Sequence, residues 1–273
     1  MALVFVLLLG LALIAWWLAE PWLRSLRRAR LRSQPFPAAW RRILRRRVPQ
    51  VASLPPDLQL RLKGLIQVFL AEKPIIGCGG LTVTDEMRVT IAAQACLPLL
   101  GATRGYYPAL RQVLLYPGAF VVNRAVNAPG GVVQDQRRAL AGESWVQGQV
   151  LLSWEDVRAG AADPRDGQNV VIHEFAHQLD QVKGHANGAP PLATAQAQAV
   201  WSRVMQNEFD ALQTRVAWGE PGLLGSYAAT DPAEFFAVLS ELFFEQPREL
   251  RAQHPVLYAE LAAFYRLEPA RWC

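Results

Sequence analysis

Residues 169–180 read NVVIHEFAHQLD. Val170, Val171, Ile172, Phe175 and Ala176 fit a buried helix, and on such a helix positions i and i+4 lie one turn apart on the same face. His173 and His177 have that spacing, so both imidazoles can reach one zinc ion, with Glu174 between them reaching a water on that metal. The chain has four histidines, and this HExxH pattern takes two of them. Histidines satisfied by ordinary hydrogen bonds are the competing reading.

A catalytic zinc takes three protein ligands and keeps one position open. The metzincin extension asks for Gly and His three and six residues beyond the second His. Asp180 and Lys183 stand there instead, which excludes that class. His185, eight residues on, is one candidate, reaching in from a loop, although a surface or substrate-side position is the favoured reading for it. The segment 231–245, DPAEFFAVLSELFFE, supplies others: Glu234 and Glu241 fall on roughly one helical face among phenylalanines and leucines, where a carboxylate needs a partner. Spacing leaves Glu234 open between ligand and helix cap, because Asp231, Pro232 and Glu234 also make a capping-box-like start. Glu241 and Asp180 are candidates to hold a histidine ligand in orientation. Tyr227, in the turn GSYAATDP, is a candidate to donate a hydrogen bond to a developing oxyanion, with an ordinary packed turn tyrosine as the competing reading.

The flanking sequence predicts a mostly helical α+β domain with a small sheet. Asp57 is a candidate cap for a helix with apolar positions Leu58, Leu62, Leu65, Ile66, Phe69 and Leu70. Further helices are expected over 85–100, from about 168, and over 194–214, 231–244 and 255–265. The runs QVLLYPGAFVV (112–122, broken at Pro117-Gly118) and QVLLSW (149–154) read as strands, and 127–131 and 159–167 as loops.

The N-terminus differs in character. Residues 2–19, ALVFVLLLGLALIAWWLA, are apolar throughout, about 27 Å of helix. Trp16, Trp17 and Trp22 close the run and arginines follow it, the reverse of a cleavable signal peptide. A retained single-pass anchor over 1–23 is expected, with the body on the cytoplasmic side. An arginine- and proline-rich linker over 24–53 and a folded domain over 54–273 follow. The arginines at 41, 42, 45, 46 and 47 are candidates for lying on an anionic leaflet, at about 1 kcal/mol each. Residues 1–47 hold ten arginines and one acid, while the rest has 18 basic and 22 acidic side chains. The net +5 therefore belongs to the N-terminus, and no nucleic-acid footprint is present in the body. Cys78, Cys96 and Cys273 have no metal or redox spacing and cannot form a disulfide framework. The HExxH lies far beyond the only candidate span, which excludes an intramembrane protease.

HEFAHQLD followed by SYAATDPAEFFAVLSELFFEQP closely resembles the Mlc titration factor A (MtfA) family of bacterial zinc peptidases. VLLYPGAFVV, GESWVQGQVLLSW and AFYRLEP also look like that family, so the similarity runs from about Pro56 to Pro269. Its active site is in turn similar to that of anthrax lethal factor, where a Tyr precedes a ligating Glu by seven positions, as Tyr227 precedes Glu234. The resemblance implies a zincin-like metallopeptidase domain with one Zn²⁺ per chain. It makes His173, His177 and Glu234 the ligands, Glu174 the general base and Tyr227 the hydrogen-bond donor in the transition state. It also implies an aminopeptidase-like action on a peptide or protein substrate, and a transcriptional repressor of the Mlc type as a possible partner. A regulatory protein that sequesters such a repressor, with a non-catalytic metal site, is the alternative. The apolar N-terminus departs from the best-known member of that family, which is soluble, and points to the bacterial inner membrane.

Overall fold

The computed structural model describes the backbone of residues 1–101, 106–128, 132–140, 142–145, 148–220 and 222–272, and side chains there except at 2, 3, 6, 7, 12, 120–147 and 183. The expected loop at 127–131 lies mostly outside those residues.

Helix α1 (Ala2–Ser33) runs unbroken through Pro21. Among the described residues no helix is long and apolar enough to cross a membrane. Ala2, Leu3, Val6, Leu7 and Ala12, within the run expected as an anchor, have side chains outside the described residues. Beyond Trp22 the helix packs against α4 (Pro56–Glu72). Arg28 makes a bidentate pair with Glu72, 2.7 Å at each oxygen, and lies 4.6 Å over the Tyr106 ring. A Cβ at Gly64 would come 3.2 Å from Arg32 Cγ, so the arginine stem lies directly on α4.

The expected linker is corrected. Residues 38–53 form α2 (Ala38–Arg47) and α3 (Gln50–Ser53), and Leu44, Val48, Val51 and Leu54 are buried in the main core. Those four positions recur at helical intervals beneath the arginines and prolines. Arg46 and Arg47 both pair with Glu86, at 2.7 Å each. At the start of α4 the N-cap is Pro55 with no side-chain bond, and Asp57 sits in the first turn, so the expected Asp57 cap does not form. A proline at the first helical position removes an N–H that needs no cap.

Strand β1 (Ile75–Gly77) leads to α5 (Asp85–Cys96), capped by Thr84, whose Oγ1 accepts from Met87 N at 3.3 Å. Then come β2 (Gln112–Tyr116), ended by Pro117-Gly118, the antiparallel pair β3 (Phe120–Ala128) and β4 (Val132–Leu140), and β5 (Gly142–Trp145) and β6 (Gln149–Ser153). The main sheet has the order β1-β2-β6-β5, with β1, β2 and β6 parallel and β5 antiparallel at the edge. Val113, Leu115, Val150 and Leu152 are fully buried, as a parallel sheet covered by helices requires.

Helix α6 (Trp154–Ala162) takes up residues expected as strand end and loop, with Ser153 as its cap. The chain continues through α7 (Val170–Asp180), α8 (Ala195–Ala217), α9 (Pro232–Glu245), α10 (Pro247–Gln253) and α11 (Pro255–Tyr265). Phe175 of α7 packs on Tyr107 at 4.7 Å and Phe69 at 5.7 Å. On α9, Phe236 meets Trp201 and Phe264, while Phe243 and Phe244 meet Tyr265. These two aromatic clusters fix the rotation of α7 and α9 about their axes, and therefore which of their polar side chains face each other.

Candidate metal centre

Helix α7 begins at Asn169, whose Oδ1 accepts from Ile172 N at 3.0 Å. With Val171, Ile172, Phe175 and Ala176 in the core, the remaining face carries His173, Glu174 and His177, all buried. Helix α9 begins at Asp231, whose Oδ1 accepts from Ala233 N at 2.8 Å and Glu234 N at 3.0 Å. Capping is thus the work of Asp231. The Glu234 carboxylate turns to α7 instead, its Oε2 lying 2.9 Å from His173 Nε2 and 3.7 Å from His177 Nε2. Ligand atoms of His173, His177 and Glu234 all lie within 4.8 Å of one another.

Glu241, seven residues along α9, places Oε1 2.7 Å from His173 Nδ1. His173 therefore has a carboxylate oxygen at each ring nitrogen. Burial works against its charged form, but hydrogen bonds to Glu234 and Glu241 hold its pKa well above the ordinary histidine range. Burial likewise raises Glu234, and the two histidines outweigh it and hold that carboxyl far below the usual range. A metal ion at His173 Nε2 requires that nitrogen without its proton, so metal and proton compete for the same position. Two imidazole nitrogens, one carboxylate oxygen and a carboxylate behind the first histidine are a donor set that fits zinc with an open position.

Glu174 is 5% exposed and lines a cleft of about 690 Å³ together with His173, Tyr227 and Glu241. Tyr227, half exposed at the cleft mouth, lies with its ring 6.0 Å from that of His173. It opens a single 3₁₀ turn (Tyr227–Ala229) that packs on α9, which sets its height above the histidines.

One expectation is corrected. Asp180 does not orient a histidine: its carboxylate accepts from the backbone N–H groups of Asn187, Gly188 and Ala189 at 2.6, 2.7 and 3.1 Å, folding the loop after α7 against that helix. Gly188 is required there, with φ +76° and a position where a Cβ would meet Pro232 O at 2.3 Å. Asp180→Ala is expected to destabilise the fold by about 1–3 kcal/mol, since three backbone donors, the buried Gly188 N–H among them, lose a charged acceptor. Urea unfolding checks this, and a loss under about 0.5 kcal/mol would show the loop is held by other contacts. His185 is exposed on the same loop, outside the cluster of His173, His177 and Glu234.

Sequence reasoning missed two residues of the site. Glu245, one turn beyond Glu241, extends the acidic stripe 234, 241, 245 of α9, and its signal was the i+4 step. Asn169 had the signal of a capping residue just ahead of the HExxH helix.

The model of the glucose-regulated metallo-peptidase M90 family matches residues 23–266. The chain belongs to that family. An uncharacterized protein from Synechocystis sp. is 39% identical over 273 residues, covering 100% of this chain and 98% of its own. Mlc titration factor A from Yersinia enterocolitica is 34% identical over 237 residues, 85% of this chain and 86% of its own. The protein of that name from Yersinia pestis is 35% identical over 85% of each chain. For this M90 member the match starts at Leu23 region residues, inside α1, in keeping with the packing of that helix on α4. Family membership makes the chain metallopeptidase-like, with a metal as its cofactor.

Proposed function

We propose that this protein is a zinc-dependent peptidase of aminopeptidase-like action, with His173, His177 and Glu234 holding one Zn²⁺ per chain. The observation that carries the reading is the convergence of three donors within 4.8 Å of one another, with His173 and the buried Glu174 both lining the adjoining cleft. When bound, zinc supplies a Lewis acid that makes water nucleophilic near neutral pH. Glu174 Oε takes the proton from the attacking water and later delivers it to the leaving amine. Tyr227 donates its phenolic hydrogen to the oxyanion that forms on the peptide carbonyl. Glu241 keeps the first histidine fixed by accepting at Nδ1, and Leu223, Leu224 and Val238 give the cleft an apolar wall.

The purified full-length chain is expected to hold about one zinc and to cleave short peptides. Chelation should abolish cleavage and zinc should restore it, whereas chelator-resistant cleavage would overturn the reading. In the same assay Tyr227→Phe should lower kcat by about a hundredfold with KM little changed. The second reading, sequestration of a repressor, draws on the name Mlc titration factor A carried by the Yersinia relatives. A chain that binds such a repressor but cleaves nothing would favour it.

We also propose that α1 anchors the protein in the bacterial inner membrane with the catalytic body in the cytoplasm. Phe5, Leu8, Leu9, Leu13, Trp16, Trp17 and Trp22 are exposed on it, a row that soluble proteins do not leave in water. Arg27 and Arg30 follow at headgroup level, while Arg46 and Arg47 of the second cluster are already paired with Glu86, which lowers that cluster's share in lipid binding. Retention in the membrane fraction after an alkaline carbonate wash is expected, and release by that wash would remove the anchor.

A further inference from the structure

Asn169 is 1% exposed and makes five hydrogen bonds, one of them the helical bond from His173 N to its backbone carbonyl. Its Oδ1 caps α7, its backbone N–H donates to Glu241 Oε2 at 2.5 Å, and its amide NH₂ donates to Glu245 Oε1 at 2.8 Å and to Gly160 O at 3.3 Å. The two oxygens of Glu241 thus bridge Asn169 N and His173 Nδ1. There is no slack behind Asn169, because a Cβ on Gly160 would come 3.1 Å from its Cα. Ser, Thr and Asp cap helices as well as Asn does, but only Asn adds an NH₂ donor. Capping alone does not account for an asparagine with both NH₂ contacts used.

We propose that Asn169 and Glu245 are positioning residues for the metal centre, holding Glu241, and through it His173, in the geometry that leaves Nε2 facing Glu234. Glu245 is 4% exposed on the same face of α9, and burial, helped by the neighbouring carboxyls of Asp166 and Glu241, pushes it up to about 8. At neutral pH it is therefore an uncharged acceptor for Asn169 and puts no second negative charge beside Glu241. Glutamine keeps that acceptor and that neutrality, whereas methionine keeps only the volume.

The inference rests on the zinc reading above, and one titration separates the two. Zinc affinity of the full-length protein is measured by competition with a chromophoric chelator, and Tm of the metal-free form is recorded alongside. The variants are Asn169→Ser, Glu245→Met, Glu245→Gln and Glu234→Ala. Asn169→Ser keeps a cap but loses the NH₂, and it and Glu245→Met should each weaken zinc binding by about 5- to 10-fold, below the roughly 10- to 100-fold lost when a direct partner of a metal ligand is removed. Glu245→Gln should stay within about threefold of the parent, a rescue that a merely space-filling role does not predict. Zinc binding by Asn169→Ser and Glu245→Met within about twofold of the parent overturns the inference, as does a loss in Glu245→Gln equal to that in Glu245→Met. A lowered Tm with unchanged affinity assigns both residues to fold stability and also overturns it. A parent that binds no zinc, or a Glu234→Ala that binds it as well as the parent, overturns the zinc reading itself.

Discussion

Glu174→Gln is expected to lower kcat by about 10²- to 10⁴-fold while the protein still holds its zinc. The side chain sits between the two histidines in sequence and lines the 690 Å³ cleft together with His173, and glutamine keeps its size and hydrogen-bonding reach without a basic oxygen. In the proposed reaction a carboxylate is needed here because the proton must leave the water and then reach the amine, and an amide can do neither. Metal content measured beside steady-state kinetics checks the point. Activity near that of the parent would remove Glu174 from the proton transfer. Lost zinc would instead show that Glu174 supports the site rather than the reaction.

The second large effect is expected at Glu234. In Glu234→Ala zinc affinity should fall by at least about a hundredfold and cleavage should disappear with it. The metal-free fold should be little affected, because Asp231 supplies the cap and alanine is a good helix former. Removing the carboxylate also removes a desolvated charge, although it takes from His173 one of its two acidic partners. Equilibrium zinc titration together with thermal unfolding separates ligation from capping. A large drop in Tm with unchanged zinc affinity would make Glu234 a structural residue.

How much of this was legible depends on how local each signal was. The HExxH helix and the DPAEFF helix both announce themselves within a dozen residues, through apolar spacing and a capping residue, and both form where expected. The antiparallel edge β5 and the short β1 carry three or four residues each, too few for alternation to show. Helices α2 and α3 were hidden by composition. Arginines and prolines suggested a linker, yet Leu44, Val48, Val51 and Leu54 keep a helical interval and reach the core. Asp180 misled because three residues past a ligand is a reasonable place for an orienting carboxylate, and nothing local shows the loop 187–189 returning to it. The bond from Asn169 to Glu245 joins residues 76 apart. Only the tertiary packing of α7 on α9 creates it.

The Arg28–Glu72 fork has a consequence for where such an enzyme can act. A body on a flexible tether explores a half-sphere around its attachment point and meets targets at any height and angle. Here one helix leaves the apolar run and is bolted to α4 within about two turns of Trp22. With α1 embedded as proposed, the cleft travels laterally and spins about one axis but keeps a constant elevation and tilt above the bilayer. Its search for substrate is then two-dimensional, and a polypeptide that cannot present its end at that elevation stays uncut whatever its sequence. Selectivity would come from altitude before it came from side chains.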